Sequence, residues 1–386
     1  MIGIHAAKRT AIGAFQGQFS SYSSTDLGSF AIRAALNASG FKTVDEIFMG
    51  CVLQGGLGQA PARQASIKAG IESNVPTTTI NKVCGSGMRA IMFACDSLRL
   101  GHIQTAIAGG MESMTNASYA LEKGRSGYRF GHGALIDLML NDGLEDAFHK
   151  NDQGGRLAMG VFADNTAADY TFSRSFQEDF ARQTYEKATA AQTSGLFNNE
   201  IVPVIFSDKK SELTIDQDEQ LSRVKPEKFS ALKPAFKTDG TVTAATSSSL
   251  ADGAAALVLS ANTDGALAKI VGYASHAQSP ETFTTAPIGA IEKLCASLNW
   301  PINSVDAFEI NEAFAVVPMA AIKTLNIPHE KVNIYGGACA LGHPIGASGA
   351  RIVVTLINIM RQKSLKRGIA VACIGGGEAT AIALEI

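Results

Sequence analysis

The strongest constraint on the fold of this chain is an internal duplication. The pair Val44-Asp45 recurs as Val305-Asp306, 261 residues later. Two further matches follow in the same order: Ser86–Arg89 with Ser348–Arg351 at an offset of 262, and Ala108–Gly110 with Ile374–Gly376 at an offset of 266. Three ordered matches at nearly constant spacing indicate two related units, and the period is too long for a solenoid. We therefore predict a pseudo-symmetric pair of domains.

Charge is concentrated between the two units. Residues 145–240 carry 28 of the 68 charged side chains, as expected of a solvated excursion from an apolar scaffold. Residues 241–260 return to the composition of the scaffold and are predicted to complete the first sheet. We therefore divide the chain into an N-terminal domain (1–119 and 245–264), an inserted loop domain (120–244) and a C-terminal domain (265–386).

Each unit alternates short apolar runs with helical patterns, which predicts α/β layers. Predicted strands cover 46–53, 105–111, 269–274, 307–311 and 369–374. Apolar residues at helical spacing predict helices from Met88 to Leu98 and over 350–360. In the insertion, Ser175 and Glu178 have the spacing of a capping box. The amphipathic helix that they would begin has Phe176, Phe180, Ala181 and Ala188 on one face and Gly195 at its end.

The composition excludes several classes of protein. Of 386 residues, 46% are hydrophobic and 18% are charged, so the chain has enough apolar surface for a large core and too much for disorder. The formal net charge of −2 provides no general field for nucleic acid. No apolar run reaches the roughly 18 residues of a membrane span, and the N-terminus lacks a secretory signal. We expect a cytoplasmic protein that binds neither nucleic acid nor membrane.

The six cysteines form neither a Cys-x-x-Cys pair nor a Cys/His set at zinc-finger spacing. We therefore predict no metal site and reduced thiols. Cys51, Cys95 and Cys295 lie in apolar patterns and are interpreted as packing residues.

Two motifs place reactive side chains at the start of a predicted helix. Cys84, within 81–87, follows a β-branched run and precedes an apolar helix, where free N–H groups and the helix dipole favour the nucleophilic thiolate. His343, within 342–346, is biased out of helical geometry by Pro344, so its imidazole lies in a loop and is a candidate general base. The alternatives are a buried structural cysteine and a histidine that hydrogen-bonds the backbone of a tight turn.

Two further motifs follow predicted strands of the second unit. Cys373 ends an apolar strand, and the glycines from Gly375 onwards expose N–H groups that suit an oxyanion. Taken alone, this motif favours a small core residue before a hairpin turn. Asn311 follows another strand, where an amide either positions a water molecule or a histidine, or caps the next helix. No Gly-x-Gly-x-x-Gly follows a strand, which disfavours a dinucleotide site and with it an NAD-dependent dehydrogenase.

Taken together, the four motifs resemble those of the thiolase family, most closely its acetyl-CoA acetyltransferase members. NKVCGSGMRAI around Cys84 resembles the block of the acylated cysteine, and GGACALGHPIGASGAR around His343 resembles that of the catalytic histidine. NEAF at Asn311 and CIGGG at Cys373 resemble the remaining two blocks. The resemblance covers nearly the whole chain in family order. It implies an α/β protein with the thiolase fold, two pseudo-symmetric domains in α-β-α-β-α layers with an inserted loop domain.

The resemblance also implies an activity and a set of roles. Thiolases are acyltransferases that join two acetyl-CoA molecules to acetoacetyl-CoA by a reversible Claisen condensation, or cleave 3-ketoacyl-CoA by thiolysis. Cys84, deprotonated with help from His343, would carry the acyl group, and Cys373 would be the acid and base. His343 with a water held by Asn311 resembles one oxyanion hole, and the N–H groups of Cys84 and Gly375 resemble the other.

Coenzyme A thioesters are then substrates, and no cofactor is expected. The resemblance implies that Ser248 contacts the pantetheine arm, and it puts other substrate contacts at Leu144, Met159, Arg223, Phe236, Ala244 and Phe314. It also implies a homodimer or a homotetramer, because residues 118–135 resemble the segment that pairs thiolase dimers.

One departure from the short-chain thiolases concerns chain length. Where those members carry His-Met-Gly, this chain has Ala158-Met159-Gly160. The missing histidine leaves open a 3-ketoacyl-CoA thiolase of fatty-acid β-oxidation with longer substrates. An alternative from another class is a non-catalytic CoA- or lipid-binding protein of thiolase fold. The presence of Cys84, His343 and Cys373 argues against it.

Overall fold

The computed structural model describes residues 1–207 and 212–386. Its strands are β1 (Ile2–Thr10), β2 (Gly13–Ala14), β3 (Glu46–Gly50), β4 (Thr77–Ile80), β5 (Thr105–Ser113), β6 (Tyr119–Ala120), β7 (Ile136–Asp137), β8 (Glu145–Lys150), β9 (Arg156–Ala158), β10 (Ile201–Val202), β11 (Val204–Ser207), β12 (Glu212–Ile215), β13 (Ala251–Ser260), β14 (Ala268–Ala277), β15 (Ala307–Ile310), β16 (Arg367–Ile374) and β17 (Glu378–Glu385).

The α-helices are α1 (Ser24–Ser39), α2 (Pro61–Lys68), α3 (Ser86–Arg99), α4 (Met159–Asp169), α5 (Arg174–Thr193), α6 (Gln220–Arg223), α7 (Ala286–Leu298), α8 (Val316–Leu325), α9 (Ala338–Leu341) and α10 (Ile345–Gln362). A π-helical turn covers Leu140–Leu144, and 3-10 segments cover Pro226–Ala231, Pro280–Thr285, Ile302–Ser304 and His329–Lys331. None of the described helices is long and apolar enough to cross a membrane.

One sheet runs through the molecule, and its two halves have the same strand order. From one edge the order is β4-β3-β5-β13-β1, and from the other it is β15-β16-β17-β14, with β1 and β14 paired in the middle. Strand β3 is parallel to β5 as β15 is to β16, and the next two pairs of each half are antiparallel. Strand β4 also has a counterpart, because Phe308 forms a parallel bridge with Val332. The duplication predicted from the sequence is present in the strand topology.

The repeated Val-Asp motif has the same task in both halves. Asp45 lies just before β3, and its carboxylate accepts two backbone N–H groups where β5 begins, at 2.8 and 2.9 Å. Asp306 lies just before β15 and accepts two N–H groups where β16 begins, both at 2.9 Å. Each aspartate thus fastens the start of one strand to the start of its parallel neighbour, which explains why the pair recurs.

The repeated Ser-Gly-x-Arg motifs begin two helices that pack against each other. A Cβ on Gly87 of α3 would lie 2.9 Å from the backbone nitrogen of Ala350, and a Cβ on Gly349 of α10 would lie 2.7 Å from that of Met88. These contacts are reciprocal, as expected of a pseudo-twofold relation between the halves. The two glycines therefore let the helix backbones touch.

Helices cover both faces of the sheet. Helix α10 packs on β5 and β13 of the first half and on β15 and β16 of the second, whereas α1 packs on β1, β5 and β13, and α7 on β14, β16 and β17. Successive residues of a strand face opposite sides. Gly110 of β5 meets α10, and its neighbour Met111 meets α1. The layers are therefore α1, the first half-sheet, α3 with α10, the second half-sheet and α7, which is the predicted α-β-α-β-α order.

Most predicted strands and helices are present, with shifts at their ends. The predicted helices lie within α3 and α10, and 241–260 contains β13, which pairs with β1 and β5 as expected. The strand predicted over 46–53 ends at Gly50. Beyond it, the N–H groups of Val52 and Leu53 turn to the carboxylate of Glu112 at 3.0 and 3.2 Å instead of continuing the sheet.

The capping box predicted at Ser175 is wrong. Helix α5 begins at Arg174 with Ser173 as its N-cap, whose hydroxyl accepts the Phe176 N–H at 3.2 Å. Glu178 instead forms an ion pair with Arg174, at 2.7 Å. The side chain of Phe176 is consequently exposed rather than on the buried face. A helix that starts two residues earlier satisfies its first N–H groups with a different serine.

Candidate active site

The predicted motifs meet at one cavity of about 260 Å³ whose wall combines both halves. Cys84 comes from the first half, and His343 and Gly375 come from the second. The remaining wall is mainly apolar, and it includes Val83, Leu140, Leu144, Ala158, Met159, Phe236, Leu250, Phe283, Ala313, Phe314 and Ile345. An apolar cavity with a few convergent polar groups is the usual form of a small-molecule site.

Cys84 lies in a tight turn between β4 and α3. Val83 has a left-handed φ of 46°, which is unfavourable for a β-branched residue. The turn is held by its neighbours: the Asn81 side chain accepts the Val83 N–H at 3.0 Å, and the Ser86 hydroxyl accepts the Lys82 N–H at 2.8 Å. The same hydroxyl donates to the Val83 carbonyl at 2.6 Å. The turn places Cys84 on the cavity wall, as the strand-turn-helix prediction required.

Cys84 is a neutral thiol at rest. Burial raises the pKa of Cys84 to about 11, although the backbone N–H groups of Gly375 and of Cys84 itself face the sulfur and lower it. The charge of Glu112 raises it further. The N–H groups thus favour the thiolate, as expected, but desolvation outweighs them and raises the pKa above its ordinary value. Attack of this neutral thiol on a thioester therefore requires a base.

His343 is the candidate base, and its neighbours set its tautomer. Its Nδ1 lies 2.5 Å from the Ser348 hydroxyl oxygen, and that hydroxyl donates to the Pro344 carbonyl at 3.0 Å. We assign the proton to Nδ1, which leaves Nε2 as the acceptor nitrogen. Burial, together with the charge of Arg351, lowers the pKa of His343 to about 3, so the imidazole is neutral at pH 7.

Asn311 directly follows β15 and lies beside the imidazole. Its amide nitrogen is 3.4 Å from His343 Nε2, and the side chain is fully buried. Its carbonyl oxygen has no hydrogen-bond partner among the residues that the structure describes. A buried, unpartnered oxygen beside an imidazole suits an ordered water molecule.

Cys373 lies beside Cys84. Cys373 is fully buried near the end of β16. A negative charge on Cys84 raises the pKa of Cys373. Burial raises the pKa of Cys373 well above its ordinary value, while the N–H groups of Ala313 and of Cys373 itself oppose the rise. Gly376 and Gly377, with φ of 96° and 86°, make the predicted hairpin turn to β17.

Five of the seven candidate substrate contacts line the cavity, namely Leu144, Met159, Phe236, Ser248 and Phe314. Two do not. Arg223 is exposed and pairs with Glu219 one helical turn away. Ala244 is exposed outside the cavity. The structure therefore brings together the apolar contacts around the reactive groups and leaves Arg223 and Ala244 apart from them.

Two notable wall residues were not predicted. Glu145 of β8 lies opposite Ala158 of β9 in the strand pair and shares the wall with it. Phe283 comes from a 3-10 segment and contacts Phe314 edge-on, with 6.3 Å between the ring centroids. No motif marks either residue in the sequence. The contacts of both residues are purely tertiary.

The structure also bears on metals and thiols. Within the two described ranges, no group of three or more His, Cys, Asp or Glu side chains is arranged to hold a metal ion. All six cysteines are free. The packing residues Cys51, Cys95 and Cys295 are buried, as predicted.

Comparison with known proteins identifies the family. Models of the thiolase N-terminal domain and the thiolase C-terminal domain match residues 2–263 and 265–386. The chain belongs to the thiolase family. This confirms the resemblance seen in the four motifs, and this thiolase is an enzyme of the acyltransferase class.

Individual relatives are similar to this thiolase over nearly its whole length. Acetyl-CoA acetyltransferase 2 of Arabidopsis thaliana is 47% identical over 389 residues, covering 98% of this thiolase and 95% of the plant protein. The crystal structure of an Ascaris suum thiolase in complex with coenzyme A has a TM-score of 0.91 at 39% identity and covers 100% and 99% of the two chains. That of the Bacillus anthracis acetyl-CoA acetyltransferase has a TM-score of 0.94 at 36% identity, covering 100% and 98%. The predicted thiolase fold is confirmed.

Proposed function

We propose that this thiolase catalyses the reversible Claisen condensation of two acetyl-CoA molecules to acetoacetyl-CoA and CoA, through an acyl-Cys84 intermediate. The observation that carries the proposal is the meeting of Cys84, His343 and Gly375 on one cavity wall, with Cys373 beside Cys84. Relatives named acetyl-CoA acetyltransferase support the choice of substrate. The CoA thioesters are substrates, and the reaction uses no cofactor.

In the first half-reaction, the Cys84 sulfur attacks the thioester carbonyl while His343 Nε2 takes the thiol proton. Burial raises the pKa of Cys84 to about 11 and lowers that of His343 to about 3, so both groups are neutral before substrate binds. The N–H groups of Cys84 and Gly375 stabilise the oxyanion. His343 returns the proton to the departing CoA sulfur, and the acetyl group stays on Cys84.

In the second half-reaction, Cys373 passes its thiol proton to His343 Nε2, and the resulting thiolate removes a proton from the methyl carbon of a second acetyl-CoA. Because burial raises the pKa of Cys373, its thiolate is a strong base. His343 and a water held by Asn311 stabilise the enolate oxygen. The carbanion attacks acetyl-Cys84, the C–S bond breaks, and the released Cys84 sulfur takes the proton held by His343. Cys373 keeps the proton from the methyl carbon, so both thiols and the neutral imidazole are restored. Acetoacetyl-CoA leaves, and the reverse sequence is thiolysis.

A second candidate is thiolysis of longer 3-ketoacyl-CoA substrates in fatty-acid β-oxidation. Ala158 favours it, since a methyl group lies on the wall where the short-chain members carry a histidine. Met159 and Phe283 on the same wall are apolar and suit an alkyl chain, whereas the carboxylate of Glu145, opposite Ala158, does not. A non-catalytic CoA carrier is disfavoured by the complete set of Cys84, His343 and Cys373.

Steady-state thiolysis of acetoacetyl-CoA and of 3-ketohexadecanoyl-CoA separates these candidates. We expect kcat/KM for acetoacetyl-CoA to be at least about tenfold higher, since a single methylene group in an apolar pocket already changes it by about 10- to 200-fold. A higher value for the long substrate favours the second candidate.

Cys84→Ala tests the nucleophile: radiolabelled acetyl-CoA should label the wild type covalently and leave the variant unlabelled. Label on another residue contradicts the assignment of the nucleophile.

We also propose the domain division into 1–119 with 245–264, 120–244 and 265–386, a homodimeric or homotetrameric assembly, and a cytoplasmic location. The return of β13 to pair with β1 and β5 supports the division. Four exposed large hydrophobic residues in the segment 118–135, namely Tyr119, Leu121, Phe130 and Leu135, support a further interface. Sedimentation tests the assembly, and cell fractionation tests the location.

A further inference from the structure

Glu112 is a buried charged side chain that the proposed reaction does not use. It lies on β5, fully buried, and its carboxylate accepts the N–H groups of Val52 and Leu53 at 3.0 and 3.2 Å and of Gly346 at 2.9 Å. The Cys51 thiol is a fourth donor at 3.8 Å. Burial raises the pKa of Glu112 to about 7, and these donors oppose the rise. Hydrogen bonds from N–H groups to a carboxylate are among the stronger ones in proteins.

The donors belong to the two halves of the molecule. Val52 and Leu53 follow β3 in the half that carries Cys84, and they pack in one apolar cluster with it. Gly346 lies in the first turn of α10, three residues after His343. The carboxylate therefore sits at the N-terminus of α10, where the helix dipole favours a negative charge. The Glu112 carboxylate thus connects the loop that carries His343 to the half of the molecule that carries Cys84.

The backbones of the two halves are in direct contact at this point. A Cβ on Gly110 would lie 2.1 Å from the Gly346 carbonyl oxygen, and a Cβ on Gly346 would lie 3.0 Å from the Cys51 Cα. Gly110 and Glu112 are two residues apart on β5 and so face the same side. The start of α10 thus rests directly on β5 beside the carboxylate. A change at Glu112 is passed straight to the backbone that carries His343.

We propose that Glu112 is a positioning residue, which holds the start of α10, and with it His343, at the distance from Cys84 that proton transfer requires. The inference rests on the proposed function, because His343 takes the proton only in that reaction. A misplacement of about 1 Å in an active site lowers the rate by on the order of 100-fold.

A purely electrostatic role predicts the opposite. The charge of Glu112 raises the pKa of Cys84, so its removal favours the thiolate and speeds every reaction of the sulfur. Loss of positioning slows only the reaction that needs His343. Acetylation of Cys84 by acetyl-CoA needs the imidazole, whereas alkylation by iodoacetamide needs only the thiolate. The two reactions of one sulfur therefore separate the two roles.

The test compares Glu112→Gln and Glu112→Asp with the wild type. Glu112→Asp keeps the negative charge but has a side chain too short to hold the Gly346 N–H at the same distance. This variant tests the positioning role if the glutamine variant does not fold. We expect acetylation of Cys84 to be about 10- to 100-fold slower in both. The apparent affinity for acetyl-CoA should stay within about twofold, since Glu112 is not on the cavity wall. Alkylation across the pH profile should be unchanged in Glu112→Asp and unchanged or faster in Glu112→Gln.

Asp252→Asn is the matched control. Asp252 is a fully buried carboxylate on the neighbouring strand, opposite Ser113, and it accepts the N–H and hydroxyl of Thr115 at 3.0 and 2.6 Å. The rate of Cys84 acetylation in Asp252→Asn should match that of the wild type. Unchanged acetylation in the Glu112 variants, equal slowing of acetylation and alkylation, or equal slowing in Asp252→Asn would overturn the inference. A wild type that forms no acetyl-enzyme would overturn the proposed function instead.

Discussion

At the scale of single residues, the reactive groups of this thiolase are neutral until substrate arrives. Burial raises the pKa of Cys84 to about 11 and lowers that of His343 to about 3. Burial also raises the pKa of Cys373 above its ordinary range. At neutral pH the site therefore holds two thiols and an imidazole. Charge develops only as bonds form, which is where preorganised N–H groups are most effective.

Cys373→Ala separates the two half-reactions. Acetyl-enzyme should still form, because Cys84 and His343 suffice for the first step. Condensation should fall by about 100- to 10,000-fold, the usual contribution of a positioned acid or base. The measurements are the burst of covalent label from radiolabelled acetyl-CoA and the steady-state rate of acetoacetyl-CoA formation. Equal loss of both would mean that Cys373 is a packing residue and not a proton shuttle.

At the scale of elements, α3 and α10 touch through the glycines of the repeated motif. Gly349→Ala should destabilise the fold by about 1–3 kcal/mol, because the new Cβ would lie 2.7 Å from the Met88 backbone nitrogen, which has no room to move. This loss should exceed the roughly 1 kcal/mol by which alanine improves helix propensity. Urea unfolding measures it.

Gly253→Ala is the control for this substitution. Its Cβ would meet only ordinary contact, with the nearest atom, on Pro344, at 3.4 Å. The free energy of unfolding should then change little or rise by about 0.4–1 kcal/mol. Similar losses in the two variants would contradict the close contact between α3 and α10.

At the scale of the whole molecule, residues 118–135 project on a short stalk. Strands β6 and β7 pair at its base, and Phe130 is 102% exposed beyond it. Deletion of residues 124–131 leaves the stalk and the cavity intact. We expect light scattering to show a tetrameric wild type and an active dimeric variant, because an exposed aromatic suits a partner surface. A wild type that is already dimeric contradicts the tetramer and favours the β-oxidation candidate.

Much of this architecture was predictable from short stretches of sequence. The β-branched run before Cys84, Pro344 after His343 and the glycines after Cys373 each set a local conformation, and the structure has the expected turn, loop and hairpin there. Such features act within a few residues. The start of α5 was not predicted correctly, because Ser173 and Ser175 both suit an N-cap and their immediate neighbours do not distinguish them.

The sequence by itself determined the duplication, the alternation of strands and helices, and the chemical identity of the reactive groups, because these are written in residue order and local backbone preference. Only the tertiary structure decided which groups are charged and how far apart they lie. The position of Cys84 favours its thiolate, but segments far along the chain remove water from the sulfur and raise its pKa. The link from Glu112 to Gly346 spans 234 residues and has no local pattern. Desolvation and distance belong to the packed molecule, where residues remote in sequence become neighbours.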